Sequence, residues 1–142
     1  MKFKIKEKGK SYSLPLEGLK ISGIDMRDFL GLELTEEGSN RPMFVIDINL
    51  NFEMTRFNQT ETLTPSDKET VKKMIDLIGL KIKQSESSKT GDLYLTLDDE
   101  TEINVPDAEY ESWHINTIHQ ERIKNTWVIG GVGMTSFFEL NE

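Results

Sequence analysis

Residues 16–21 read Leu16-Glu17-Gly18-Leu19-Lys20-Ile21, and residues 77–82 read Leu77-Ile78-Gly79-Leu80-Lys81-Ile82, identical at five of six positions with a spacing of 61. The segments downstream of each copy also agree. After the first come Phe29-Leu30-Gly31-Leu32-Glu33-Leu34 and then Val45-Ile46-Asp47-Ile48. After the second come Leu93-Tyr94-Leu95-Thr96-Leu97 and then Ile103-Asn104-Val105. Alternating apolar and polar residues mark half-buried strands. Two related strand-rich units, about 16–52 and 77–113, account for the pattern as an internal duplication. The expected fold is α+β and mainly β: two β-meander units forming an antiparallel sheet or a partly open barrel, in one domain over 1–142.

Working outward, Phe3 and Ile5, then Tyr12 and Leu14, flank Lys6-Glu7-Lys8-Gly9-Lys10 as a lysine-decorated hairpin. Such lysines guard an edge strand against pairing with other chains. Phe44, Ile46, Ile48, Leu50 and Phe52 alternate along one face of a long strand. Between the units a helix is expected over about 65–78, with Thr64 as N-cap, Pro65 in the first turn and Gly79 as the stop. Its stripe, Val71, Met74, Ile75 and Ile78, falls at helical spacing and predicts a core face. In the second unit, Leu97 is expected opposite Ile103 and Leu95 opposite Val105, closing a loop Asp99-Glu100-Thr101 that calls for a residue tolerant of positive φ. Trp127-Val128-Ile129 runs into Gly130-Gly131-Val132-Gly133, and 135–140 reads as a last strand.

Composition bounds the chemistry. The chain has 142 residues, 36% of them hydrophobic, and no cysteine, which excludes a disulfide framework, a thiol nucleophile and a thiolate metal site. The N-terminus alternates where a signal peptide would be continuously apolar, and no apolar run approaches the ~18 residues that span a bilayer. A cytoplasmic protein without membrane attachment is expected, so Asn58-Gln59-Thr60 is a coincidental sequon. Net charge is −8, and residues 92–111 hold eight acids (Asp92, Asp98, Asp99, Glu100, Glu102, Asp107, Glu109, Glu111) with no Lys or Arg. Nucleic acid is a poor partner for that surface, since phosphate binding needs clustered cations. A basic protein is a better one.

Motifs for catalysis and cofactors are weak. Gly130-Gly131-Val132-Gly133 lacks the Gly-Lys-Ser/Thr of a phosphate loop, and too little chain comes after it for a dinucleotide fold, so it reads as a hairpin turn or bulge. His114 and His119 are five apart, which suits neither a helical zinc pair nor one strand face, and Glu111 and Glu121 complete no recognisable set. Asp98-Asp99-Glu100 with Glu102 lacks the alternating ligands and mid-loop glycine of a calcium loop. No cofactor, metal or catalytic residue is assigned. The aromatic C-terminal third, with Trp113 and Trp127, reads mainly as core.

The stretch Gly91-Asp92-Leu93-Tyr94-Leu95-Thr96-Leu97-Asp98-Asp99-Glu100-Thr101, then Pro106-Asp107-Ala108-Glu109-Tyr110-Glu111-Ser112-Trp113, resembles an uncharacterised bacterial family, a domain of unknown function. Its pattern is Gly-x-Leu-x-Leu-x-Phe-x-Asp-Gly, then Pro-x-x-x-Tyr-Glu-x-Trp. Leu97 stands where that pattern has Phe, and Glu100 where it has Gly. Small acidic β-rich chains of this kind are also similar to immunity proteins, which neutralise a bacterial toxin. The resulting expectation is a non-enzymatic protein-binding module, an immunity-type inhibitor of a basic toxin domain. Its contacts would come from Asp98, Asp99, Glu100, Glu109, Tyr110, Glu111 and Trp113. The alternatives are a small-ligand-binding β-domain with a pocket near the two tryptophans, a hydrolase using a histidine or carboxylate, and an assembly protein.

Overall fold

The computed structural model describes residues 4–26, 29–118 and 124–137, with backbone alone at 124 and 125. The strands are β1 (Lys6–Lys8), β2 (Ser11–Ser13), β3 (Lys20–Asp25), β4 (Leu30–Thr35), β5 (Pro42–Ile48), β6 (Phe52–Arg56) and β7 (Gln59–Leu63). The helix α1 (Lys68–Ile75) comes next, then β8 (Ile82–Ser88), β9 (Leu93–Leu97), β10 (Glu102–Val105), β11 (Glu111–Ile118), β12 (Lys124–Gly131) and β13 (Met134–Phe137). They form two open antiparallel sheets. The first runs β1-β2-β8-β9-β10-β6-β7, and the second β13-β12-β11-β5-β4-β3. Among the described residues neither closes into a barrel.

One apolar core lies between the sheets. Leu93, Leu95, Leu97, Ile103, Val105, Phe52 and Met54 come from the first; Leu30, Leu32, Leu34, Phe44, Ile46, Ile48, Trp113 and Ile115 come from the second. Register aligns them in rows such as Leu32–Ile46–Ile115, as the period of two along a strand requires. The long alternating run proves to be two strands. The chain leaves β5 after Ile48, crosses between sheets at 49–51, and enters β6 at Phe52, leaving Leu50 only half-buried.

The two Gly-Leu-Lys-Ile segments pair with each other. Lys20 and Lys81 form an antiparallel bridge. Ile21 N donates to Leu80 O and Ile82 N to Leu19 O, both at 2.9 Å; Gly79 N donates to Ile21 O and Gly18 N to Ile82 O, both at 2.8 Å. Each bond has its counterpart at the repeat spacing, so a local two-fold axis passes between the lysines. Beyond it, β3-β4-β5 lies in the second sheet and β8-β9-β10 in the first, each with a bulge in its leading strand: between Ile21 and Gly23, and between Ile82 and Gln84.

Two details depart from expectation. The helix is shorter, starting after Asp67, which takes the N-cap position without a side-chain hydrogen bond, and ending at Ile75. The Thr64 carbonyl instead accepts from Asp67 N in the preceding turn. The buried line is Thr70, Met74 and Leu77, whereas Ile75 and Ile78 are exposed. Stopping at Ile75 takes Ile78 off the helical stripe. The β9–β10 register is also two residues from the expected one: Ile103 faces Leu95 and Val105 faces Leu93. A two-residue slip keeps every side chain on its face, so the core composition is unaffected.

Candidate functional site

The acidic turn closes differently from the loop expected of it. Leu97 N donates to Thr101 O at 2.8 Å and Glu100 N to Leu97 O at 2.9 Å, leaving Asp98-Asp99-Glu100 as the loop. Glu100 takes φ 72°, the left-handed position that such a loop requires and that glycine would fill without strain. All three acids are engaged within the chain. Asp98 Oδ1 accepts from Lys81 N at 3.3 Å, Asp99 Oδ2 meets Arg56 at 3.3 Å, and Glu100 meets Lys83 Nζ at 2.5 Å. Burial pushes the Asp99 carboxyl up, but hydrogen bonding from Thr101 and the Arg56 guanidinium outweigh it and hold it below its ordinary value.

Glu109, Tyr110 and Glu111 stand at the other end of the β9–β10 hairpin. The four residues of β10 intervene, about 13 Å of strand. The structure therefore does not gather the expected contact residues into one patch. At this second end the 107–110 loop is tied to the β12–β13 turn. Gly133 N donates to Asp107 Oδ1 at 2.9 Å and Val132 N to Ala108 O at 2.8 Å, while Asp107 N donates to Asp92 Oδ1 at 2.8 Å. A Cβ on Gly131 would lie 2.3 Å from Tyr110 O, so that close approach needs glycine, and Gly131 also sits at φ 130°. On this anchored loop the Tyr110 side chain is 73% exposed.

Trp113, expected on the contact surface, is fully buried and cannot reach a partner. Its Nε1 donates to Gly91 O at 2.9 Å, and its ring fills the space where a Cβ on Gly130 would lie 2.0 Å from Cε2. Trp127 is buried too, stacked on Phe44 with ring centroids 5.2 Å apart. Protein atoms pack against both indoles, and this packing does not favour a ligand pocket beside them. The 130–133 glycine-rich segment is a hairpin turn: Gly131 pairs with Met134, and Val132 and Gly133 take φ 57° and 75°.

The other notable arrangement is on the outer face of the second sheet. His114, on β11, lies beside Asp47 of β5, with Nε2 2.9 Å from Asp47 Oδ2 and Nδ1 2.7 Å from Glu111 Oε1. The Nδ1 contact lacks hydrogen-bond alignment and acts through charge. Asn116 Nδ2 donates to Asp47 Oδ2 at 2.7 Å, and Thr126 Oγ1 donates to Asn116 Oδ1 at 2.9 Å. Phe29 packs edge-on against the imidazole at 5.3 Å. Room for the Asp47 carboxylate comes from Gly31, where a Cβ would lie 2.8 Å from Oδ1. Burial favours the neutral imidazole, but Asp47, then Glu111, outweigh it and raise the His114 pKa above its ordinary value.

With a carboxylate at each ring nitrogen, His114 is disposed to hold charge within the sheet. Asp47 carries no sequence signal of its own, since its place in an alternating strand reads as a solvent position. His119 and Glu121 lie outside the described residues. Among the described residues no group of three or more His, Asp or Glu is placed to hold a metal, and no helix is long and apolar enough to cross a membrane.

Comparison with known proteins places the chain by family. A family of unknown function, DUF6188, matches residues 12–125, and the chain belongs to that family. No curated protein and no solved structure matches it.

Proposed function

We propose that this DUF6188 chain is a non-enzymatic, cytoplasmic protein-binding module, and specifically an immunity-type inhibitor that holds a basic toxin domain. The observation that carries the reading is Tyr110, 73% exposed between Glu109 and Glu111 on a loop pinned to the β12–β13 turn. An amphipathic aromatic on a rigid support is a low-entropy anchor, and tyrosine is enriched at interface hot spots. The flanking acids and the net charge of −8 suit a cationic partner. We further propose that residues 1–142 form one domain that arose by duplication of about 16–52 and 77–113; the symmetric bonds about Lys20 and Lys81 support this.

Affinity capture from the native lysate at low and moderate salt tests the function. A single basic protein, lost as salt rises, is the expected result, with growth rescue when the chain is co-produced with it. Absence of a basic partner at both salt concentrations overturns the reading.

A further inference from the structure

We infer that the partner is gripped by an apolar tip made of Tyr110, Val132 and Met134 and edged by Glu109 and Glu111, with the Asp98–Glu100 turn taking no part. The inference rests on the basic-partner reading above and locates its contact.

The three apolar side chains come from two segments held together by backbone contacts. Val132 N bonds Ala108 O, Gly131 pairs with both Glu111 and Met134, and the Gly131 backbone abuts Tyr110 O. Val132 is 66% exposed and Met134 55% exposed, beside Tyr110 at 73%. Three exposed apolar residues on adjoining, backbone-tied segments suit an interaction site, and Tyr and Met are residue types that interfaces favour.

Val132 is the more telling member. It occupies the first central position of a two-residue turn at φ 57°, where Asn is favoured and a β-branched residue is strained. Stability alone would put a polar residue there. The chain keeps an apolar, solvent-facing one, and strained residues of this kind concentrate where a surface does work.

Lys10 and Lys89 also lie at this end, joined through the backbone to Thr135, so it is the pairing of the acids beside the exposed aromatic that separates it from the other. The opposite end of the fold also carries an exposed aromatic, Phe57, 84% exposed at φ 53° in the β6–β7 turn. There Arg56 lies 4.9 Å over the Phe57 ring and pairs with Asp99, and Lys83 pairs with Glu100, so the acids are already compensated. At the Tyr110 end, Glu109 has no cation at ion-pair distance among the described residues, and Glu111 meets only His114. Glu109, left without a cation beside the tip while Glu111 is met by His114, complements a protein surface with a basic residue next to an apolar depression.

The two strained turns supply a matched test. Val132→Asn and Phe57→Asn each place Asn at a left-handed turn position, so both should raise the urea midpoint and neither can lose binding by unfolding. Wild type, Val132→Asn, Tyr110→Ala and Phe57→Asn serve as baits in parallel lysate captures read by quantitative mass spectrometry. Recovery of the basic partner should fall about tenfold or more with Val132→Asn and Tyr110→Ala, and stay within about twofold with Phe57→Asn. A photo-crosslinking residue at position 134 should join that same partner. Partner recovery unchanged by Val132→Asn and Tyr110→Ala, loss with Phe57→Asn instead, or a crosslink only to a second copy of this chain overturns the tip while leaving the basic-partner reading intact. A wild-type bait that captures no basic protein overturns both.

Discussion

Lys20 and Lys81 stand directly opposite each other in an antiparallel bridge that joins one three-stranded meander to the other. Like charges placed so are unfavourable, and the chain offsets them locally: Glu37 lies 2.9 Å from Lys81 Nζ. Hydrogen bonding to Glu37, then its charge, raises the Lys81 pKa. What holds the junction is the backbone bonding on either side, which requires both segments to bend in the same way after Leu16 and Leu77.

That bend rests on Gly18 at φ 85° and Gly79 at φ 101°, each with open space where a Cβ would go. Substituting either with alanine therefore introduces backbone strain without a clash. Gly18→Ala and Gly79→Ala should each cost about 1–2 kcal/mol, and by similar amounts because the two sites are equivalent. Urea unfolding of the two variants checks this. A large difference between them would mean that the local two-fold axis does not extend to the energetics.

The Asp98–Glu100 turn predicts a gain. Glu100 holds φ 72° in a three-residue loop, and glycine accepts that conformation without the Cβ penalty. The ion pair with Lys83 that would be lost is solvent-exposed at both partners and contributes little. Glu100→Gly should raise stability by about 1 kcal/mol, seen as a higher urea midpoint with an unchanged slope. A lower midpoint would show that the turn depends on the Lys83 contact.

The meander units, the lysine-bearing edge β1 and the core leucines are legible in the sequence because period-two alternation is strong where one face is buried. Legibility fails where a local signal is absent or shared. The β6–β7 hairpin turns at Phe57-Asn58, which carries no glycine, so nothing marks it. The crossing at 49–51 falls inside an unbroken alternation and is invisible for the opposite reason. At the candidate site, exposure decides everything: Tyr110 and Trp113 lie three positions apart, and only the packing of Trp113 against Gly130 and Gly91 separates surface from core. Asp47 and His114 meet through strand pairing across a long sequence separation, which spacing cannot reveal.

His114 makes stability depend on pH. Its pKa is raised in the folded chain, so the protonated form is bound more tightly there than in the unfolded chain. The stabilisation is fully present below the ordinary imidazole value of about 6.5 and is lost as pH rises through the raised value. The urea midpoint of wild type should thus contain a component that declines across that window. Asp47→Asn removes the charge that raises the imidazole pKa most while retaining an oxygen for Asn116, and should flatten that component. The matching NMR observation, in a His119→Gln background that leaves one histidine, is a ring titration that moves downward in Asp47→Asn. An unmoved titration would exclude Asp47 as the source of the shift.

Gly130 and Trp113 should behave as a single unit. A Cβ at 130 would lie 2.0 Å from the indole Cε2 and 2.1 Å from Nε1, and a fully buried ring cannot move aside without displacing core neighbours. Gly130→Ala should therefore cost about 3 kcal/mol or more. Trp113→Leu alone should cost a similar amount, since it empties part of the core and leaves Gly91 O without its donor. In the double variant the leucine frees the space that the new methyl needs. Its loss should be smaller than the sum of the singles by about 1 kcal/mol or more. Simple additivity in that cycle would mean that Gly130 is required by the strand backbone and not by the indole.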